Sequence, residues 1–304
     1  MTRLLGLVVA APPRRVGPLP KLEVQAVEAT GRNPKGVILS HDRKTLYVTN
    51  FGELSNKRVV SVYDAETLRL RTELDLHANV VEAALSPDDR TLANWSGDSV
   101  SEVDVARAEV VRTHPVGKNP RGLAVTGKGT LYVANFYTES IDVFEGPDRE
   151  RRHRVKSCKC PRHLALSPDE KTLYVSCLFQ SELQALDLET ETVVHRAPLG
   201  SYPKSIAVSA DGRYVYSADY GTTCSASVVD TTDWTSRTFI VPGMDRGSGI
   251  VVGAGGQHAF VTGWYDAHLY RVGFEGTGGD PEAARAKIAQ WQHRPFSADP
   301  GDGQ

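Results

Sequence analysis

The chain has 304 residues, 40% of them hydrophobic, with 35 basic against 37 acidic residues and a net charge of -2. That balance argues against a dedicated nucleic-acid binder, which carries a basic excess, and with no run of about 18 apolar residues no transmembrane helix is expected. Length alone suggests two domains, but all-β folds of this size are often single, and four cysteines are too few for a disulfide scaffold, so free thiols in a cytoplasmic protein are the expectation.

The start, "MTRLLGLVVAAPPRR", reads as a short β-compatible stretch, the alternative being a weak signal peptide and a secreted protein. Residues 21–28 resemble an outer strand and are expected to close the last unit of a repeat. That repeat is plain in "LSHDRKTLYVTN", "LSPDDRTLANW", "VTGKGTLYVAN", "LSPDEKTLYVSC", "VSADGRYVYSAD" and "VGAGGQHAFVTG", which begin at Leu39, Leu85, Val125, Leu166, Val208 and Val252. The six copies divide the chain at about 34–79, 80–119, 120–160, 161–202, 203–246 and 247–273. A period near 42 residues with four short β segments per unit means propeller blades. In the fourth unit "RHLALS" is the inner strand, "TLYVSC" the second, "ELQALDL" the third and "VVHRAPL" the outer one. The sixth unit lacks an outer strand, and "DPEAARAKIAQWQ" reads as a helix over 280–292, with Asp280 as N-cap and Pro281 in the first turn, before a tail at 293–304. The expectation is a single all-β domain: a β-propeller of four-stranded blades, six or alternatively seven, closed by an N-terminal strand.

The segments "LYVTN", "LYVAN" and "LYVSC", with the lead-ins "NPKGVILS", "NPRGLAVT" and "YPKSIAVS", resemble the YVTN-type β-propeller repeat over about residues 30–273. The resemblance implies the fold. It does not imply one function, because such propellers include binding proteins, lactonases, dehydrogenase subunits and carbon–carbon bond-forming enzymes. "CKC" at 158–160 is not a haem-attachment motif.

Antiparallel pairing sets the start of each inner strand beside the end of the second strand, so two sets of loops meet on one face. The first set carries Lys35, Val81, Arg121, Arg162, Lys204 and Ser248, followed by Gly36, Glu82, Gly122, His163, Ser205 and Gly249. Glu82 and His163 are the titratable exceptions among small residues, hence a candidate base and a candidate acid or base. Arg121 and Arg162, with Lys204 and Lys35, are candidates to hold a carboxylate or phosphate. The second set brings Phe51, Trp95, Phe136, Tyr137, Phe179, Tyr220 and Trp264 to the same rim, the apolar wall of a small-molecule site or else packing between blades. Cys158, Cys160, Cys177 and Cys224 fall on this face too. Cys160, His163, Cys177 and Cys224 are therefore an alternative zinc or copper set. A calcium alternative uses Glu82, Asn94, Asn135 and Asp219, similar to the ion site of six-bladed lactonases.

The leading expectation is a small-molecule enzyme with no organic cofactor. It works by acid–base chemistry such as proton transfer, cyclisation, hydrolysis or addition–elimination. The alternatives are a ligand- or protein-binding scaffold, for which a protein partner is expected, and a metal-binding propeller.

Overall fold

A computed structural model describes residues 22–30, 34–40, 42–50, 59–75, 82–86, 91–96, 98–104, 107, 109–146, 151–222, 224–253 and 258–274. The molecule is an all-β propeller. β1 (Leu22–Ala29) is followed by β2 (Pro34–Leu39), β3 (Thr45–Asn50), β4 (Val59–Asp64) and β5 (Leu70–Asp75), the last four forming one sheet. The next holds β6 (Ala83–Leu85), β7 (Thr91–Ser96), β8 (Ser99–Asp104) and β9 (Glu109–Pro115). A third has β10 (Pro120–Val125), β11 (Leu131–Asn135), β12 (Ser140–Glu145) and β13 (Arg151–Lys156). In the fourth, β14 (Pro161–Leu166) and β15 (Thr172–Cys177) lead through a 3-10 turn at Leu178–Gln180 to β16 (Glu182–Asp187) and β17 (Thr192–Pro198). The fifth comprises β18 (Pro203–Val208), β19 (Tyr214–Asp219), β20 (Ser225–Asp230) and β21 (Ser236–Ile240). The last joins β22 (Gly247–Val252), β23 (His258–Gly263) and β24 (His268–Phe274) to β1, with Leu22 opposite Phe274 and Ala29 opposite His268. Among the described residues there are thus six four-stranded sheets and no seventh. The helix expected over 280–292 lies outside the described residues, as does the tail. No helix among the described residues is long and apolar enough to cross a membrane.

Local chemistry explains the hairpins. In "SHDR", "SPDE" and "SADG" the serine hydroxyl donates to the aspartate at 2.6 Å: Ser40 to Asp42, Ser167 to Asp169, Ser209 to Asp211. The same oxygen accepts the amide that opens the second strand, from Thr45, Thr172 or Tyr214. The residue after each aspartate takes a left-handed conformation, which makes Gly212, at φ +72°, the least strained of the three.

The core lies between sheets. Ala134, Ile141 and Val143 of the third sheet meet Leu164, Leu173 and Val175 of the fourth. Tyr174, Leu183 and Ala185 of the fourth meet Ile206, Val215 and Val229 of the fifth. In β15 both alternating faces are therefore buried, whereas the outer strand β17 is largely exposed. Radial stacking leaves only the outer edge of each blade open.

Candidate functional site

Five inner strands begin with an irregular register: between Pro34 and Gly36, Pro120 and Leu123, Pro161 and His163, Pro203 and Ser205, and Gly247 and Gly249. A bulge leaves a residue outside the ladder and re-aims its side chain. The residues so released are Lys35, Arg121, Arg162, Lys204 and Ser248. Hydroxyls on the second strands hold three of these bulges: Thr49 Oγ1 accepts from Gly36 N at 2.8 Å, Ser176 Oγ from His163 N at 3.0 Å, and Thr262 Oγ1 from Gly249 N at 2.9 Å. The Thr of "YVTN" is thus a bulge clamp, a role that the repeat pattern alone did not reveal. β6 is shorter than the other inner strands, at three residues, and Glu82 sits just ahead of it. Val81 lies outside the described residues.

The inner strands approach one another closely. A Cβ on Gly122 would come within 2.5 Å of His163 Cα, and one on Gly249 within 2.9 Å of Val37 N. Glycine is needed at both positions for that reason.

These placements gather charge on the axis. Glu82 is 4% exposed, Arg162 5%, Lys35 8% and Lys204 7%, and Arg121 is half-buried. Arg162 Nη1 donates to Glu82 Oε2 at 2.8 Å. Its Nη2 stands 2.7 Å from Oε1, an ion-pair contact without the alignment of a hydrogen bond. Burial would push the Glu82 carboxyl up, but the positive charges of Arg162 and its neighbours outweigh burial and hold it at about 2. His163 strengthens that pull only in acid, because burial and the adjoining guanidinium drop its own pKa to about 4. Lys35 is brought down to about 7 by burial, then by Arg162. Burial first and Arg162 second also lower Lys204 well below the ordinary lysine range. Arg121 is shifted down for the same two reasons.

Glu82 and His163 therefore interact at a common place, but in altered roles. An ionised Glu82 bound to Arg162 is a poor proton acceptor at neutral pH and acts as a counter-ion. The hydrogen bond runs across to the fourth sheet, while Arg121 of the adjacent one is coupled to Glu82 through charge. His163 Nδ1 accepts a long hydrogen bond, 3.4 Å, from Ile206 N, which leaves the imidazole proton on Nε2. His163 is thus a neutral donor above about pH 4.

Aromatic rings back the cations. Lys204 Nζ stands 4.2 Å from the ring centres of both Tyr220 and Trp264, Lys35 Nζ lies 5.8 Å from Trp264, and the Arg121 guanidinium lies 5.6 Å from Phe136. Arg246, just before β22, adds a guanidinium 5.2 Å from Tyr220, a residue that the repeat did not single out. Phe136 is buried and touches Tyr137 and Phe179 edge-on; Phe179 in turn meets Tyr202. Tyr137, Phe179 and Tyr202 are exposed and form an arc on the rim. Phe51 lies outside the described residues, and nothing is described of the Trp95 side chain.

Among the described residues neither metal set is brought together. Cys177 is bonded to Cys158, which corrects the expectation of four free thiols and removes its thiolate from the set with Cys160, His163 and Cys224. Of the calcium set, Asp219 is enclosed by the hydroxyls of Ser217, Ser225 and Ser227, and Glu82 is held by Arg162. Asn135 packs against Gly117, and the Asn94 side chain is not described. Among the described residues no group of three or more His, Cys, Asp or Glu side chains could hold a metal ion.

Comparison with known proteins fits this architecture. Antigen Lp49 of Leptospira interrogans is 28% identical over 169 residues, covering 52% of this chain but only 37% of that protein. Virginiamycin B lyase from Staphylococcus aureus superposes with a TM-score of 0.59 at 15% identity, over 83% of this chain and 84% of that one. A streptogramin B lyase gives 0.56 at 12% identity, over 84% and 98%. Hydrazine synthase of Kuenenia stuttgartiensis gives 0.58 at 16% identity, over 87% and 99%. At such identities these likenesses show the fold. A family model for YNCE-like β-propellers matches residues 59–263, and the chain belongs to that family.

Proposed function

We propose that the chain is an enzyme that works by proton transfer on a small anionic molecule bound at the axial opening, without an organic cofactor. The observation that carries this reading is the convergence of Lys35, Arg121, Arg162 and Lys204, from four sheets, around the Glu82 carboxylate. Such a cluster recognises an acidic group, and the rings beside it suit an apolar or flat remainder. Glu82 fixes the Arg162 fork, and His163 offers a neutral N–H that polarises a carbonyl. Lys35, at about 7, is the group that exchanges a proton near neutral pH. Isomerisation, cyclisation, lactone opening and addition–elimination all need such a transfer, and two structural neighbours are lyases by name.

The exposed arc of Tyr137, Phe179 and Tyr202 favours a second reading, a propeller that binds its ligand or a protein without turning it over. A thermal-shift screen of small organic acids, followed by mass spectrometry of each hit after incubation, separates the two. Conversion of a hit by the protein, slowed at least about a hundredfold in Lys35→Met, is expected. A tight-binding acid recovered unchanged would leave only the second reading.

A further inference from the structure

We propose that the axial site takes a small anion bearing two or more negative charges, a phosphate monoester or a di- or tricarboxylate, and that the arrival of this anion places a proton on Lys204. The inference rests on the anion-site reading above and deepens it.

Lys204 is the anomaly in the cluster. Its side chain is buried, and among the described residues its amine contacts only the faces of Tyr220 and Trp264, with no hydrogen bond or ion pair. Lys35 of β2, Arg121 of β10 and Arg162 of β14 act on it as like charges, and Glu82, before β6, is the carboxylate that opposes them. Arg246 also lies against the Tyr220 ring, at 5.2 Å, and 5.4 Å from Tyr265. Ring faces stabilise an ammonium by less than burying one costs. Guanidiniums cannot discharge, but an amine can. Without a bound anion the site therefore sheds excess charge through lysine, in line with the lowered pKa of Lys204. One carboxylate already answers Arg162. Each further negative charge brought in by a ligand lets an amine take a proton back. Lys35 and Arg121 have contacts of their own, so the inference turns on Lys204.

A monoanion balances little more than Arg121. A dianion or trianion reaches several of the four heads at once and is the species that draws a proton in. Because the amine is charged only with ligand present, affinity falls as pH rises through and above the neutral range. The proton taken up then lies on the site wall beside the ligand.

The test is isothermal titration of the full chain with inorganic phosphate, citrate and acetate. It is run near pH 7.5 in two buffers of different ionisation enthalpy, which counts protons exchanged. Phosphate or citrate is expected to bind at least about tenfold tighter than acetate, with net proton uptake. Phosphate alone would point to a phosphate monoester, citrate alone to a polycarboxylate, and either outcome supports the inference. Lys204→Arg carries a fixed charge, so it should keep the polyanion affinity and lose part of the uptake. Lys204→Met should bring that affinity down toward the acetate value. Acetate binding as tightly as citrate, or uptake unchanged in Lys204→Arg, would overturn the inference and leave the anion site standing. Failure of all three anions to bind would remove the anion site as well.

Discussion

Replacing Glu82 by glutamine preserves volume and removes one charge from the axis. The partner left behind is Arg162, whose side chain is 6% exposed in the folded chain. A carboxyl held at about 2 against an ordinary 4.5 contributes about 3 kcal/mol to folding at neutral pH. That agrees with the roughly 3–5 kcal/mol lost when one partner of a buried ion pair is deleted. Because the pKa is depressed in the folded state, the contribution is complete above about 4.5 and disappears as pH falls toward about 2. Urea unfolding followed by tryptophan fluorescence should therefore place Glu82→Gln about 3 kcal/mol below the parent at pH 7, with a melting point lower by about 6 °C. The gap should narrow markedly by about pH 3. A gap under about 1 kcal/mol at pH 7, or one that does not change with acid, would refute the view of Glu82 as the counter-ion of a buried cation cluster.

Two further substitutions probe the frame around that cluster. Gly122→Ala forces a methyl against the backbone of β14, and the cost should be about 3 kcal/mol, with weakened anion binding because Arg162 and His163 are displaced together; a neutral result in denaturant titration would contradict the close approach. The Cys158–Cys177 bond closes a loop with a sequence separation of 19, so the Cys158→Ser/Cys177→Ser variant should lose about 3 kcal/mol. Intact-mass measurement of the unreduced parent should show one disulfide, and two further reactive thiols at Cys160 and Cys224 would be titrated after unfolding.

The repeat was legible because it is written several times over. Leucine and valine alternation, the "SPDE" turns and the "YVTN" strand ends recur at a near-constant spacing, so each copy checks the others. The convergence of Lys35, Arg121, Arg162 and Lys204 was legible for the same reason, since they hold one register position. What stayed hidden depends on distances between copies. The Glu82 carboxylate reaches past the neighbouring unit to bond Arg162 two units on. Spacing alone could not show that reach. The Cys158–Cys177 bond links a loop before β14 to the end of β15, where a face shared with His163 had suggested ligands instead. The roles of His163 and Lys35 were also inaccessible, because burial and neighbouring charge, not residue type, decide which group is neutral at pH 7.

The seam between β1 and β24 has a consequence for how the molecule is made. Of the described strands β1 is made first, and it lacks its native partner until β24 follows some 240 residues later. Its partner is the most distant one along the chain, so ring closure bears the largest loop entropy. Only when that latch engages is the circle complete and every blade flanked on both sides.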